Sequence, residues 1–216
     1  MKYIVVFLVF AMAEITIGEA RTCQQCTAIG KSDCTGQSVS CPNKHDVCAN
    51  TIEQNVANGE LKSVFSRRCL NKRELCRKIL SANSTGIEMI QYNDCCYTNN
   101  CNKGPIKMPK KKPKENGYYC LSCFTVGSNR CIGDHKLFPC TGNERDCFVF
   151  TGKATIPGEK ESTFYNSGCI TEGACDYVPD IIVGTKVHKT SSIRCSAAQR
   201  ARKRYLDQCE DERYKK

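Results

Sequence analysis

The chain has 216 residues, 19 of them Cys, with 32 Lys and Arg against 22 Asp and Glu and no Trp. Cysteine at about nine residues in every hundred marks a disulfide scaffold. It excludes a cytosolic enzyme built on one large core, whose thiols would be kept reduced. The formal charge of +10 favours acidic partners such as glycosaminoglycans, anionic lipid or acidic proteins.

Residues 1–20 read as a secretory signal peptide. Lys2 gives a basic start, Tyr3 to Ala13 is an unbroken apolar run, and Glu14 ends it. Gly18-Glu19-Ala20 then offers small residues at the −3 and −1 positions of a cleavage site before Arg21. The run is too short for a membrane span, which needs roughly 20 apolar residues. Its removal takes one Lys and two Glu from the chain and raises the formal charge from +10 to +11. At the far end Asp211 to Lys216 is polar, whereas a lipid-anchor signal requires a hydrophobic tail. The expected product is secreted and extracellular, with no membrane anchor and no nucleic acid to meet.

Residues 21–103 form the first cysteine-rich unit. From Cys23 the steps between cysteines run 3, 8, 7, 7, 21, 7, 19, 1 and 5; from Cys120 they run 3, 8, 9, 7, 22, 6, 20 and 14. The first seven steps agree within two residues each time, so the chain is an internal duplication with a period near 97 residues, meaning tandem domains. Within the first unit Asn58-Gly59 is a type I′ hairpin signal between Thr51-Ile52 and Leu61 to Phe65. A second hairpin is predicted between Cys76 and Cys95, returning through Ile87 to Tyr92 after Asn83-Ser84-Thr85-Gly86. Asn83 heads an N-glycosylation sequon and is expected at that hairpin's exposed tip, where a sugar would shield the finger. No stretch has a helical period.

Residues 104–117 carry three prolines and five lysines between Gly104 and Asn116. This composition makes an extended, self-repelling linker. A heparin-like patch is the alternative to a solvated spacer, and lysine runs usually stay solvated. Residues 118–195 form the second unit. Phe148-Val149-Phe150-Thr151 and Ser162-Thr163-Phe164-Tyr165 flank a turn at Pro157-Gly158. Residues 196–216 are a basic tail. Its Arg200-Ala201-Arg202-Lys203-Arg204 cluster admits a convertase cut after Lys203-Arg204 that would release Cys209 with the C-terminal peptide. A solvated basic terminus is the reading we favour, and Ala201 weakens the match to a furin site.

The first unit opens with Cys23-x2-Cys26 and closes with Cys95-Cys96-x4-Cys101-Asn102. With its ten-cysteine spacing it resembles the three-finger domain of the lymphocyte-antigen and urokinase-receptor superfamily. The resemblance covers nearly the whole chain from residue 21 through Cys195. It implies a small disulfide-rich all-β protein of two tandem three-finger domains. It also implies the pairing Cys23–Cys48, Cys26–Cys34, Cys41–Cys69, Cys76–Cys95 and Cys96–Cys101 in the first unit. In the second it implies Cys120–Cys147, Cys123–Cys131, Cys140–Cys169 and Cys175–Cys195. Spacing alone cannot choose among so many connectivities. The second unit departs from the family pattern, with no adjacent Cys after Cys195 and no Cys-Asn close. Cys209 is left unpaired, and an odd Cys in a secreted chain points to an intermolecular bridge, here a homodimer, to a reactive or capped thiol, or to pairing with a neighbour assigned elsewhere.

Two secreted families share this tandem layout, the gamma-type phospholipase A₂ inhibitors and the sodefrin precursor-like factors, which are amphibian courtship pheromones. Asn116-Gly117-Tyr118-Tyr119-Cys120 looks like both. Cys123-Phe124-Thr125, Cys140-Thr141-Gly142 and Arg194-Cys195-Ser196-Ala197 look closer to the sodefrin group, some members of which release a short active peptide from their C-terminal part. The implied function is a pheromone-like protein ligand acting by protein–protein binding. The alternative is a soluble phospholipase A₂ inhibitor. The implied partner is accordingly a sensory receptor or a secreted phospholipase A₂. The hairpins around Asn58-Gly59 and Pro157-Gly158 are the expected contact surfaces, held ready by bridges worth roughly 3 kcal/mol each, which lowers the ordering cost of binding.

No enzymatic, cofactor or metal chemistry is legible. The Cys-x2-Cys pairs lie in a disulfide pattern in an oxidising compartment, where zinc thiolates are not expected. Asn93-Asp94-Cys95-Cys96 superficially resembles the His-Asp-Cys-Cys stretch of secreted phospholipases. Asn93 stands where the His would be, and an amide cannot serve as the base. His45, His135 and His188 lie in no catalytic motif.

Overall fold

A computed structural model describes residues 20–57, 59–110, 114–178 and 182–200. The expected signal segment before residue 20, Asn58, Lys111 to Pro113, and the expected tail with Lys203, Arg204 and Cys209 lie outside the described residues. Six strands make the first domain: β1 (Thr22–Ile29), β2 (Gln37–Ser40), β3 (Val47–Ala57), β4 (Glu60–Leu70), β5 (Ile79–Asn83) and β6 (Ile87–Cys96). Seven make the second: β7 (Glu115–Val126), β8 (Lys136–Thr141), β9 (Glu144–Thr155), β10 (Ser162–Thr171), β11 (Lys186–Val187), β12 (Ser192–Ala197) and β13 (Gln199–Arg200). The described helical structure is two single 3₁₀ turns, Arg73–Leu75 and Ala174–Tyr177. The protein is all-β, with tandem three-finger domains.

Each domain hangs its hairpins from a cluster of bridges. In the first, Cys23–Cys48, Cys26–Cys34, Cys41–Cys69, Cys76–Cys95 and Cys96–Cys101 are bonded. In the second, Cys120–Cys147, Cys123–Cys131, Cys140–Cys169 and Cys175–Cys195 are bonded. Strand β3 pairs β4 without a break from Val47↔Leu70 to Ala57↔Glu60. Just before Glu60, Gly59 takes φ +79°, a conformation costly for a residue with a Cβ. In the second domain β9 likewise pairs β10 along its length, and β7 pairs β10 as β1 pairs β4.

The two domains end differently. Asn102, 1% exposed, closes the first: its Oδ1 accepts from the Gln24 backbone N–H at 3.0 Å, and its Nδ2 donates to Gln24 O at 2.9 Å and Ala49 O at 3.4 Å. The second domain has no such Asn. Instead β13 pairs β7 at Gln199↔Tyr119 and Arg200↔Tyr118, and the Arg200 guanidinium lies 5.3 Å from the Tyr118 ring centroid. Ordered strand therefore continues into the segment expected as tail. At the other boundary β7 begins at Glu115, inside the expected linker, because Asn116 Nδ2 donates to Gly142 O and Glu144 O at 3.0 and 2.7 Å.

The strands run as one sheet across both domains, in the order β11-β9-β10-β5-β6-β3-β4-β1-β2. The largest core cluster follows this continuity. Val47, Leu70, Leu75 and Leu80 from the first domain pack with Phe148 and Ile170 from the second.

Candidate functional site

The join between the domains rests on β5. This strand is bonded to β6 on one side only, and a bare strand edge offers unpaired N–H and C=O groups to any neighbour. Here β10 takes that edge, with Ala82 opposite Ile170 and Asn83 opposite Cys169. Alternation along a strand sends successive side chains to opposite faces. Leu80 and Ala82 accordingly enter the shared core, while Ser81 and Asn83 turn to Glu144 of β9. All four are buried, a two-sided burial that an edge strand reaches only when something covers it. Gly168 permits the approach: a Cβ there would lie 2.0 Å from Asn83 O.

Two fully buried carboxylates brace the join. Glu144 Oε1 accepts from Ser81 Oγ at 2.5 Å and Asn83 Nδ2 at 2.6 Å, while its Oε2 accepts from Thr141 N at 2.9 Å. Glu53 Oε1 accepts from Asn55 Nδ2 at 2.7 Å, and its Oε2 accepts from Val183 N at 2.6 Å. Such charge-assisted bonds are about twice as strong as neutral ones, and they satisfy ions that would be costly to bury alone. Between the domains lies an apolar cavity of about 100 Å³, walled by Ile87 and Met89 of the first and by Phe124, Phe148, Phe150 and Phe164 of the second.

The hairpin tips expected as contact surfaces for a partner meet each other. Lys62 Nζ lies 2.5 Å from Glu159 Oε1, and a Cβ on Gly184 would touch both Val64 and Pro157. The tips touch because the domains lie side by side, bringing equivalent hairpins together. Asn83, expected at an exposed tip, is 7% exposed, because the hairpin that carries it is the one that docks.

No reactive constellation is assembled among the described residues. His135 Nε2 contacts Tyr165 Oη at 3.1 Å, His188 Nδ1 contacts Thr190 Oγ1 at 2.8 Å, and His45 is exposed; the three stand apart. Asn93 is a structural knot: its Oδ1 accepts from Thr51 Oγ1 at 2.8 Å and Gln91 Nε2 at 3.2 Å. The sulphurs of Cys23, Cys41 and Cys69, and of Cys120, Cys140 and Cys169, lie within 4.8 Å of one another, yet all six are bridged and offer no thiolate. Glu53, Glu144 and Phe148 carry the join and were missed in the sequence. Their only signal was a charge or a large ring in a strand, which also fits a solvated face or a private core.

A second surface stands open. On the β7–β8 finger, Leu121 is 61% exposed and sits opposite Leu137, while Val126 and Ile132 are exposed near the loop closed by Cys123–Cys131.

The u-PAR/Ly-6 domain model matches the sequence twice, at residues 19–104 and 116–200. Protein RoBo-1 of Rattus norvegicus is 29% identical over 135 residues, 61% of this chain and 53% of its own length. The chain thus spans about half the length of that curated relative. The crystal structure of mouse TEX101 aligns over 82% of this chain and 98% of its own, with 18% identity and a TM-score of 0.34.

Proposed function

Because the chain belongs to the u-PAR/Ly-6 domain family, whose members are non-enzymatic, ligand- or receptor-like and extracellular or at the cell surface, we propose that it is a secreted protein ligand. The signal is pheromone-like, of the sodefrin precursor-like type, and acts by protein–protein binding. The observation that carries this reading is the exposed apolar finger of the second domain. Leu121 and Leu137 are neighbours across β7 and β8, 61% and 41% exposed, with the hairpin's end fixed by Cys123–Cys131. Apolar groups held out on a stapled hairpin suit a partner's apolar surface, since binding then orders little that was free. Among the described residues no helix is long and apolar enough to cross a membrane.

The test is binding of the purified protein to membranes from sensory epithelium, beside a Leu121→Asp/Leu137→Asp double variant. Saturable binding that the variant lacks is the expected result. Equal binding by both proteins overturns the assignment to this finger. Stoichiometric loss of secreted phospholipase A₂ activity on adding the protein, without sensory binding, replaces the signal with the inhibitor.

A further inference from the structure

The Asn83-Ser84-Thr85 sequon lies in the seam between the domains. A glycan joins the asparagine side-chain nitrogen, and here that nitrogen lies 2.6 Å from Glu144 Oε1, a carboxylate with no exposed surface. Asn83 itself is 7% exposed. Its backbone faces Cys169 of β10, and Gly168 comes so near that a single added carbon would stand 2.0 Å from Asn83 O. Of the next two residues Ser84 is buried, while Thr85 is exposed and donates its backbone N–H to Ser122 Oγ of β7 at 2.8 Å. With Asn83 7% exposed and Glu144 2.6 Å from Nδ2, a sugar ring on that nitrogen has to displace what packs over it.

We propose that a glycan on Asn83 and the docked arrangement of the two domains are mutually exclusive, so that occupancy of this sequon selects between a closed two-domain unit and an opened one. In the modification, the bond from Nδ2 to sugar C1 forms as the C1–oxygen bond to a lipid-pyrophosphate donor breaks. The amide loses one proton and the lipid pyrophosphate departs. Asn83 precedes the whole second domain in the chain, and N-terminal domains are made and folded first. The transferase therefore meets the amide before β9 and β10 exist to cover it. A chain modified at that stage keeps each domain's bridges but leaves the β5 edge, the facing part of β10 and the Phe-lined cavity uncovered. The inference does not depend on which partner the protein binds.

The experiment uses the full chain secreted from a glycosylating cell, separated by lectin into modified and unmodified fractions, beside Thr85→Ala. That variant destroys the sequon but retains the Asn83 amide and the backbone donor at residue 85. Intact mass before and after peptide N-glycosidase assigns occupancy, and hydrogen exchange reads the seam. Backbone amides of β5 and of Cys169–Ile170 in the modified fraction should exchange about tenfold or more faster than in Thr85→Ala, with the β3–β4 hairpin and the rest of the β9–β10 hairpin equally protected in both. Equal protection of the seam in the two overturns the proposal. A wild type secreted with Asn83 unmodified on every molecule also overturns it, because the amide reaches the transferase before anything covers it.

Discussion

Glu53 and Glu144, one buried carboxylate from each domain, are crossed over. Each keeps one oxygen for its own domain, at Asn55 and at Thr141, and extends the other across the join, to the Val183 N–H and to Ser81 and Asn83. All nine bridges among the described residues lie within one domain or the other, so these carboxylates act on the domains' relative placement. Replacing Glu144 by Ala strands two buried donors, and hydrogen bonds to a charged group contribute about 1.5–3 kcal/mol each. The expected outcome is loss of seam protection in hydrogen exchange with both disulfide sets intact.

Phe148 should couple unfolding of the two domains. It is 4% exposed and packs with Leu75, Leu80 and Ala82 from the other half of the chain. Phe148→Ala should cost about 3–5 kcal/mol and split a single calorimetric transition into two. One unchanged transition would mean that the shared core does not couple them.

Asn102→Ala tests the closure of the first domain. It removes three hydrogen bonds made by a side chain with almost no exposure. With buried backbone groups left unpaired at about 1–3 kcal/mol apiece, a loss of about 3 kcal/mol is expected in the first domain. The second domain's own closure, β13 on β7, should keep its local protection. Thermal unfolding followed by domain-resolved hydrogen exchange separates the two.

Lys62 and Glu159 should respond to pH and salt together. The Glu159 carboxylate, hydrogen-bonded to the ammonium, raises the Lys62 pKa above its usual 10.5. The pair's contribution is thus fully present below pH 10.5 and is lost as pH rises through the raised folded value. Lys62→Glu should weaken contact between the hairpin tips, and Lys62→Glu with Glu159→Lys should restore it. Both effects should shrink in high salt because the pair lies at the surface. Cross-linking between the tips across a salt and pH series reads the outcome.

Much of this architecture was legible because its signals are local. The two-residue turn before Glu60, the alternation along β9 and β10, and the repeated cysteine spacing each lie within a few turns of chain, and they dictate hairpins in two similar units. The disulfide connectivity was legible only through family resemblance, since spacing leaves the partners open. The sequon at Asn83 read correctly as a motif near a hairpin end, yet its burial did not show. An exposed tip and a docked tip have the same local sequence.

The sequence by itself determined the class of molecule: a duplicated, cysteine-framed, strand-built chain without the residue patterns of an enzyme. Only the tertiary structure decided that the two units share one sheet and one core, and that the central hairpins meet each other instead of standing apart. It also decided that Glu53 and Glu144 are braces. The reason is range. Asn83 and Glu144 lie 61 residues apart and Glu53 and Val183 lie 130 apart, so no periodicity or motif within either segment records the partner it will find.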